Sequence, residues 1–307
     1  MTHQDTGKHR TNTHDQFYTS DAVAKQCVQW ILTAVDGVGY DDDDDDDDVL
    51  WVEPSAGTGA FLHQLPPEFT KIGLDIDPKS ADIIQQDYLS WNPATAVPKK
   101  KGVIVFGNPP FGRQSSLAKA FITKSCSFAN IIAFILPKSF TKPSMYNAFH
   151  PRFHQVFSKE LDKNAFIIND GAAYDVPCVF QIWEKRATER PKDEKVAPIG
   201  FEYIAAAAAA AASTTTFALR RVGGLAGKCY TDTATRSAQS HYFIRLNDTV
   251  SPAHHADIIE KINKHTFPSN TVGPRSLSKS EVNVVLNQII HAEATTATTA
   301  TATTSSY

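Results

Sequence analysis

Asn108, Pro109, Pro110 and Phe111 stand together between Gly107 and Gly112, directly after the apolar run Val103–Phe106. Two successive prolines at the end of a buried strand remove backbone donors and fix the chain. Their carbonyls and the Asn108 amide then face outward as a cluster of acceptors. Such a cluster suits a planar amine whose lone pair is delocalised into an aromatic ring, as at N6 of adenine. Acceptors on Asn108 Oδ1 and the Pro109 carbonyl hold both N–H groups and favour a more pyramidal, nucleophilic nitrogen. Phe111 offers a ring face for stacking. The plainer reading, a Pro-Pro turn that only ends a strand, is weakened by the acids and glycines upstream.

Those upstream residues form a second set. The run Val49–Val52 leads into Glu53, Pro54, Ser55, Ala56, Gly57, Thr58 and Gly59. Glycines in such a turn let the backbone approach a ligand closely, although any tight strand-to-helix turn also wants them. No Gly-Lys-Ser/Thr follows and the spacing is not GxGxxG, so neither a phosphate-cradling P-loop nor the dinucleotide fingerprint is present. A second apolar run ends at Asp75, followed by Ile76; an acid some 20 positions after a Gly-rich turn is placed to accept hydrogen bonds from ribose hydroxyls. A helix N-cap is an equally good account of Asp75 taken alone. Asp87 beside Tyr88 again puts an acid next to an aromatic, where the edge and face of a purine are held. The three together point to an adenosine-containing cofactor.

Elements of a definite kind must position these residues. Apolar runs at 49–53, 71–75, 102–107 and 130–137 are continuous rather than alternating, as in parallel strands buried on both faces. Helical patterns at 22–34, 78–85, 116–128 and 142–149 separate them. Repeated strand–helix units of this kind predict a doubly wound, Rossmann-like α/β sheet with ligands outside the carboxyl ends of its strands. Beyond Phe153 the pattern turns β-like, and 165–168 with 179–183 is expected to form an antiparallel pair at the sheet edge. A smaller α+β block follows, with strands at 217–222 and 240–246 and a helix over 252–264. A capping box, Ser278 with Glu281, opens a last helix over 282–290.

Composition bounds the rest. The chain has 307 residues, 42% hydrophobic and 21% charged, ordinary values for a globular protein with ample core. The formal charge of −3 includes eight consecutive aspartates among 33 acids. Without that acidic loop at 41–48, 30 Lys and Arg face 25 acids, a net of +5. A mildly basic fold permits a nucleic-acid partner without demanding one. Cys27, Cys126, Cys178 and Cys229 lie far apart with no CxxC pair and no histidine at metal-ligand spacing, so no metal site is expected and reduced thiols fit an intracellular compartment. No apolar stretch is long enough for a membrane span, and 1–14 is polar and expected to be flexible. The tract at 205–216 is expected as a low-complexity linker and 293–307 as a disordered tail.

The set Asn108-Pro109-Pro110-Phe111, Glu53 to Gly59, and Asp75 resembles the class I S-adenosylmethionine-dependent amino-methyltransferases. Upstream, Gln16, Phe17, Tyr18 and Thr19 resemble the segment that precedes the Gly-rich turn in the γ-type order of N6-adenine methyltransferases. The resemblance covers 16–183, within a catalytic domain expected over 15–190. It implies that Phe17, Tyr18 and Thr19 line the methionine end of S-adenosyl-L-methionine, that Glu53, Ser55, Gly57 and Gly59 meet its amino-acid part, and that Asp75 takes the ribose. Ile76 would lie against the adenine ring, Asp87 would read its amino group, and Asn108, Pro109, Pro110 and Phe111 would hold the target amine. A second aromatic belongs on the far side of the pocket; Tyr174 is the best match and Phe180 the runner-up, with core packing equally open to both.

The expected extension over 196–292 gathers Arg220, Arg221, Lys228, Arg275 and Lys279 among glycines, as a surface gripping nucleic-acid phosphates would. A solvated basic face is the alternative. The implied reaction is transfer of a methyl group to adenine N6 in DNA, with RNA as a second substrate. A protein glutamine amide is a third, although such enzymes more often carry Tyr at the Phe111 position. His150, His154 and His241 fall outside these motifs and suit surface or core roles. An additional partner subunit is left open.

Overall fold

A computed structural model of the chain describes residues 18–36, 49–95, 102–163, 165–167, 173–174, 176–191, 196–210, 215–268 and 274–303. The acidic run at 41–48, the segment 1–17 with Phe17, and 304–307 lie outside the described residues. The chain divides into two compact units, Met1–Lys192 and Asp193–Tyr307.

In the first unit the elements run β1 (Tyr18–Thr19), α1 (Asp21–Asp36), β2 (Val49–Pro54), β3 (Lys71–Asp75), β4 (Ile84–Gln85) and β5 (Gly102–Gly107). They continue with α2 (Ser116–Cys126), β6 (Ile131–Pro137), α3 (Pro143–Tyr146), β7 (Phe153–Glu160), β8 (Phe166–Ile167), β9 (Ala173–Tyr174) and β10 (Cys178–Lys185). Seven strands form one sheet in the order β4-β3-β2-β5-β6-β10-β7. The first five are mutually parallel, while β10 is antiparallel to both β6 and β7. That order, reversing between β2 and β5 and closed by an antiparallel strand, defines a Rossmann-like class I methyltransferase sheet. Both faces are covered. Trp51, Ile104, Phe106 and Phe180 point to the α1 side, with Ala24, Cys27, Val28 and Ile31. Leu50, Val52, Val105 and Trp183 point to the α2 side, with Ala118, Phe121 and Ile122. Burial on both faces is why these strands read as unbroken apolar runs.

Three local expectations change. The stretch 78–85 is not a helix but a turn leading into β4. Ser80 Oγ bonds Asp82, and Asp82 bonds His63, so short polar side chains supply partners that compete with a helical ladder. The edge partner of β10 is β7, paired from Phe153↔Lys185 to Glu160↔Val179 with a bulge near Ile182, and not the segment at 165–168. Phe166 and Ile167 instead join a small sheet in the order β1-β8-β9. The helix expected over 142–149 is reduced to α3, preceded by a short 3-10 turn over Lys138–Thr141.

The second unit holds β11 (Phe201–Ile204), α4 (Ala206–Ala210), β12 (Thr216–Arg220), β13 (Cys229–Tyr230), β14 (His241–Leu246), α5 (His255–Lys264) and α6 (Lys279–Thr303). Its sheet runs β11-β14-β12-β13, all antiparallel. Part of the alanine tract is therefore helical, as alanine's propensity favours. The helix that begins at the Ser278–Glu281 box continues through 293–303, where a disordered tail was expected. In the box, the Glu281 carboxylate accepts the Ser278 N–H at 2.8 Å and the Glu281 N–H donates to Ser278 Oγ at 3.2 Å. Among the described residues no helix is long and apolar enough to cross a membrane.

Trp183 locks the β10 side of the sheet. Its ring stacks on Phe149 at 4.0 Å, and its Nε1 donates to Gln181 Oε1 at 3.1 Å. Gln181 in turn donates to the Phe140 carbonyl at 3.1 Å. Trp183→Ala is expected to cost about 3–5 kcal/mol in urea unfolding, through the lost ring and the orphaned Gln181 acceptor; a loss below about 1 kcal/mol would contradict this packing account.

Candidate active site

The carboxyl ends of β2, β3 and β5 open into a cavity of about 550 Å³. It lies at the point where the strand order reverses, the place where open α/β sheets bind ligands. Three tight turns build it, one after each strand.

After β2, Ser55 and Gly57 adopt left-handed φ values of 57° and 55°. At Gly57 an added Cβ would lie 3.1 Å from the Tyr18 ring, so only glycine fits beneath that ring. Asp75, at the end of β3, braces this turn: its Oδ2 accepts the Gly57 N–H at 2.7 Å and its Oδ1 accepts the Asp77 N–H at 2.8 Å. No helix follows β3, so Asp75 is not the helix N-cap that was the alternative; it braces a turn, and a ligand role stays compatible because each carboxylate oxygen retains a second lone pair. Asp87 follows β4, and its Oδ1 accepts the Leu89 N–H at 2.9 Å. After β5, Gly107 takes φ +128° and places Asn108, Pro109, Pro110 and Phe111 on the cavity wall.

Hydrogen bonds join these turns to β1. Ser55 Oγ donates to the Asn108 carbonyl at 3.2 Å, and Asn108 Nδ2 donates to Thr19 Oγ1 at 3.2 Å. Thr19 is only 7% exposed.

The cavity brings together Tyr18, Thr19, Glu53, Ser55, Gly57, Asp75, Ile76 and Asp87 with the whole Asn108–Phe111 run. Two expected residues, Gly59 and Phe180, stand off the wall. Gly59 is absent from the wall; its φ of +78° and the His63 ring, 2.7 Å from an added Cβ, explain the glycine. Phe180 is fully buried among Trp30 and Phe157, so it is core and not a target-stacking ring. Phe17 and the Tyr174 side chain lie outside the described residues; the backbone of Tyr174 pairs with Phe166. Sequence reasoning missed Phe61, Leu117 and Phe121 on the wall. The last two sit on the first turns of α2, where an apolar periodicity would be assigned to core.

In the second unit, backbone hydrogen bonds pair two of the segments that carry the basic residues. The Gly223 N–H donates to the Arg275 carbonyl at 2.9 Å and the Leu277 N–H to the Arg221 carbonyl at 2.8 Å. This pairs the 220–228 segment with that around Arg275. Four of the five cations also have an internal partner. Arg221 lies 5.4 Å over Tyr242, Lys279 lies 4.4 Å over Tyr203, and Arg220 and Lys228 donate to the carbonyls of Val222 and Asn263. His241 belongs to this unit, and His150 and His154 lie off the cavity wall.

Glu53 carries the strongest electrostatic perturbation at the site. It is 2% exposed, and burial pushes its carboxyl up to about 8 against the lowering effect of the Leu62 and Phe61 N–H groups. Leu62 N donates to its Oε2 at 2.8 Å. A carboxyl desolvated in this way is poised for a cationic partner, which would favour the charged form.

No protein-family profile and no curated protein matches the chain. Solved structures do resemble it. A candidate RNA methyltransferase from Pyrococcus horikoshii shares 15% identity over 56% of this chain and 88% of its own, with a TM-score of 0.41. An S-adenosylmethionine-dependent methyltransferase from Anabaena variabilis shares 14% over 56% and 88%, TM-score 0.38. Magnesium protoporphyrin IX methyltransferase from Synechocystis, with S-adenosylmethionine bound, shares 11% over 54% and 81%, TM-score 0.37. At such distances the neighbours' substrates do not carry over to this chain.

The raised Glu53 carboxyl makes a signed prediction. In the unfolded chain it ionises near 4.5, whereas in the fold it keeps its proton to about pH 8. Folding therefore takes up a proton in that window, and stability falls by about 1.4 kcal/mol per pH unit as pH rises through it. Glu53→Gln keeps the shape and the acceptor for Leu62 without the charge. Its melting temperature, measured without ligand, should match wild type at pH 5 and exceed it at pH 9. Equal melting temperatures at pH 9 would remove the buried-charge account.

Proposed function

We propose that this chain is an S-adenosylmethionine-dependent methyltransferase acting on the exocyclic N6 amine of adenine in nucleic acid, with DNA ahead of RNA. The observation that carries the reading is the position of Asn108: a side-chain amide at the carboxyl end of β5, followed by two prolines, on the wall of the cavity that also holds Gly57, Asp75 and Glu53.

The residues fit the cofactor. A Cβ at Gly57 would crowd the Tyr18 ring at 3.1 Å in a left-handed conformation that favours glycine, and a cation beside Glu53 would favour its charged form. Glu53 and the Gly57 turn would hold the amino-acid part, Asp75 the ribose hydroxyls, and Ile76 and Asp87 the adenine. When bound, S-adenosylmethionine supplies a methyl group on a positively charged sulfur, which becomes a neutral thioether as the amine nitrogen gains the methyl and then loses one proton to water.

The chain's own work is positioning and polarisation. Asn108 Oδ1 and the Pro109 carbonyl accept the two N–H bonds of the target amine and free its lone pair for attack. Phe111 packs against the base. Orientation of this kind supplies most of the acceleration in a direct transfer, and no general base is needed before the nitrogen is methylated. A target inside a duplex must first leave the stack, at a cost of a few kcal/mol. The paired basic segments of the second unit support phosphate contacts, which position nucleic acid without reading its sequence.

The test offers S-adenosylmethionine with a labelled methyl group to duplex DNA, single-stranded DNA, total RNA and a protein extract in parallel. N6-methyladenine in nucleic acid is expected; label confined to glutamine in protein would overturn the reading. Asn108→Ala should lower turnover by about 100-fold or more while cofactor affinity stays within about threefold, since its contact is made to the target. Asp75→Ala should instead weaken cofactor binding by about tenfold or more, measured by calorimetry. Wild-type turnover in Asn108→Ala would refute the polarising role.

A further inference from the structure

The geometry points to Tyr88 and Ser125 as positioning residues that hold Asp87 against the adenine of the cofactor and so set how strictly its amino group is read. The inference rests on the reading of Asp87 given above and adds what keeps that carboxylate in place.

Asp87 lies on the cavity wall, and its two oxygens are not alike. Oδ1 accepts the Leu89 N–H at 2.9 Å, which ties the side chain to its own turn. Oδ2 has no protein partner among the described residues and is open to the N–H of an exocyclic amine. The turn closes through the Asp87 carbonyl, which accepts the N–H of Ser90 at 3.2 Å and that of Trp91 at 2.9 Å. A carboxylate fixed to its own turn is only as well placed as the turn, so the anchors of that turn decide.

Two anchors flank Asp87, on different elements. The Gln86 N–H donates to the Asp75 carbonyl, at the end of β3, at 2.8 Å. Tyr88 is 2% exposed, and its ring lies 5.0 Å from that of Phe121 on α2. Its hydroxyl is 2.7 Å from Ser125 Oγ, which is fully buried on the same helix. The direction of this bond follows from the other partner of Ser125. Ser125 Oγ carries one hydrogen and gives it to the Phe121 carbonyl at 2.8 Å, an atom that can only accept. Tyr88 is therefore the donor and Ser125 Oγ the acceptor. Because α2 also carries Leu117 and Phe121 to the cavity wall, the bond joins the turn that holds Asp87 to the helix that lines the same pocket.

A hydroxyl pair inside an apolar cluster adds little to stability, since each group gives up water to make the bond. Tyr88 belongs to the cluster that includes Val105, Ile122 and Phe134, where a phenylalanine would fill nearly the same space. What the bond adds is direction: it fixes where the ring end rests on α2, and through the ring the backbone next to Asp87.

The test measures dissociation constants of S-adenosylhomocysteine and S-inosylhomocysteine by calorimetry. The second ligand carries an oxo group in place of the adenine amine, so at that position it presents an acceptor to Asp87. Wild type is expected to prefer the adenine form by about tenfold or more. Tyr88→Phe and Ser125→Ala should each lower that preference to about threefold or less, chiefly by weakening S-adenosylhomocysteine. A purely structural role would weaken both ligands together and leave the preference at its wild-type value, which overturns the proposal.

The double variant Tyr88→Phe/Ser125→Ala separates packing from positioning. In Ser125→Ala the Tyr88 donor is stranded, whereas with both hydroxyls gone no polar atom of the pair is orphaned, so the melting temperature recovers toward wild type. The preference for adenine should stay low all the same. A preference restored together with the melting temperature overturns the proposal. Wild type binding the two ligands equally rejects the reading of Asp87 itself, while a wild-type preference that survives in Tyr88→Phe rejects the brace alone.

Discussion

A single buried carboxyl, Glu53, sits where the site's two principal turns meet. Its Oε2 takes the Leu62 N–H and so ties the turn after β2 to the end of that strand. Its Cγ lies 3.2 Å from where a Cβ on Gly107 would stand. The φ of +128° at Gly107 is what calls for glycine there, and it turns the chain into Asn108. Placing an acid there opposes folding as the pH rises, because burial resists its ionisation. Such a residue makes sense as one end of an ion pair completed by a ligand: burial disfavours its charge, and a cation beside it would favour that charge. Stability and binding are coupled through the same proton.

Around that hub the site is assembled from strand ends whose relative positions are set by the sheet and not by the loops. β2 and β5 are hydrogen-bonded neighbours in parallel register, Leu50 opposite Val103 and Val52 opposite Val105. Their carboxyl ends therefore emerge side by side, with Glu53 on one and Gly107 on the other. β3 brings Asp75 to the same edge, in register with Gln85 of β4. Only β1 comes from outside this sheet. It reaches the cavity through the small β1-β8-β9 sheet, so residues from either end of the catalytic unit, Thr19 and Phe166, are held together by two rungs of backbone pairing. Orientation at this precision is what a reaction without a covalent enzyme intermediate requires.

How much of this is legible in the amino-acid sequence follows from which forces are local. The parallel strands β2, β3, β5 and β6 are readable because burial on both faces leaves unbroken apolar runs. The turn residues are readable because glycine and proline reflect local backbone geometry. β7 is not, because Phe153, His154, Gln155 and Val156 on an edge strand carry no such run, and its pairing with β10 depends on partners far along the chain. Phe180 illustrates the same limit: an aromatic near a motif can serve core or cavity, and only packing against Trp30 and Phe157 decides. The Thr19–Asn108 hydrogen bond is invisible to spacing, since 89 residues separate its members. α6 continues through 293–303 against an expected tail, although six of those eleven residues are threonine and four alanine, so local propensity does not account for it.

The central claim is that an acceptor cluster at the end of β5 selects an exocyclic adenine amine. It is tested most directly by forming the product with two isotopes: a ¹³C methyl group on the donor and a ¹⁵N atom at N6 of adenine in a short DNA. A one-bond carbon–nitrogen coupling in the purified nucleoside is the predicted result. A methyl group on a ring nitrogen of adenine, or on a ring carbon of any base, would contradict the account, because neither presents the pair of N–H donors that Asn108 and Pro109 are placed to accept; a methyl group on the exocyclic amine of cytosine would keep the acceptor role and overturn the choice of adenine.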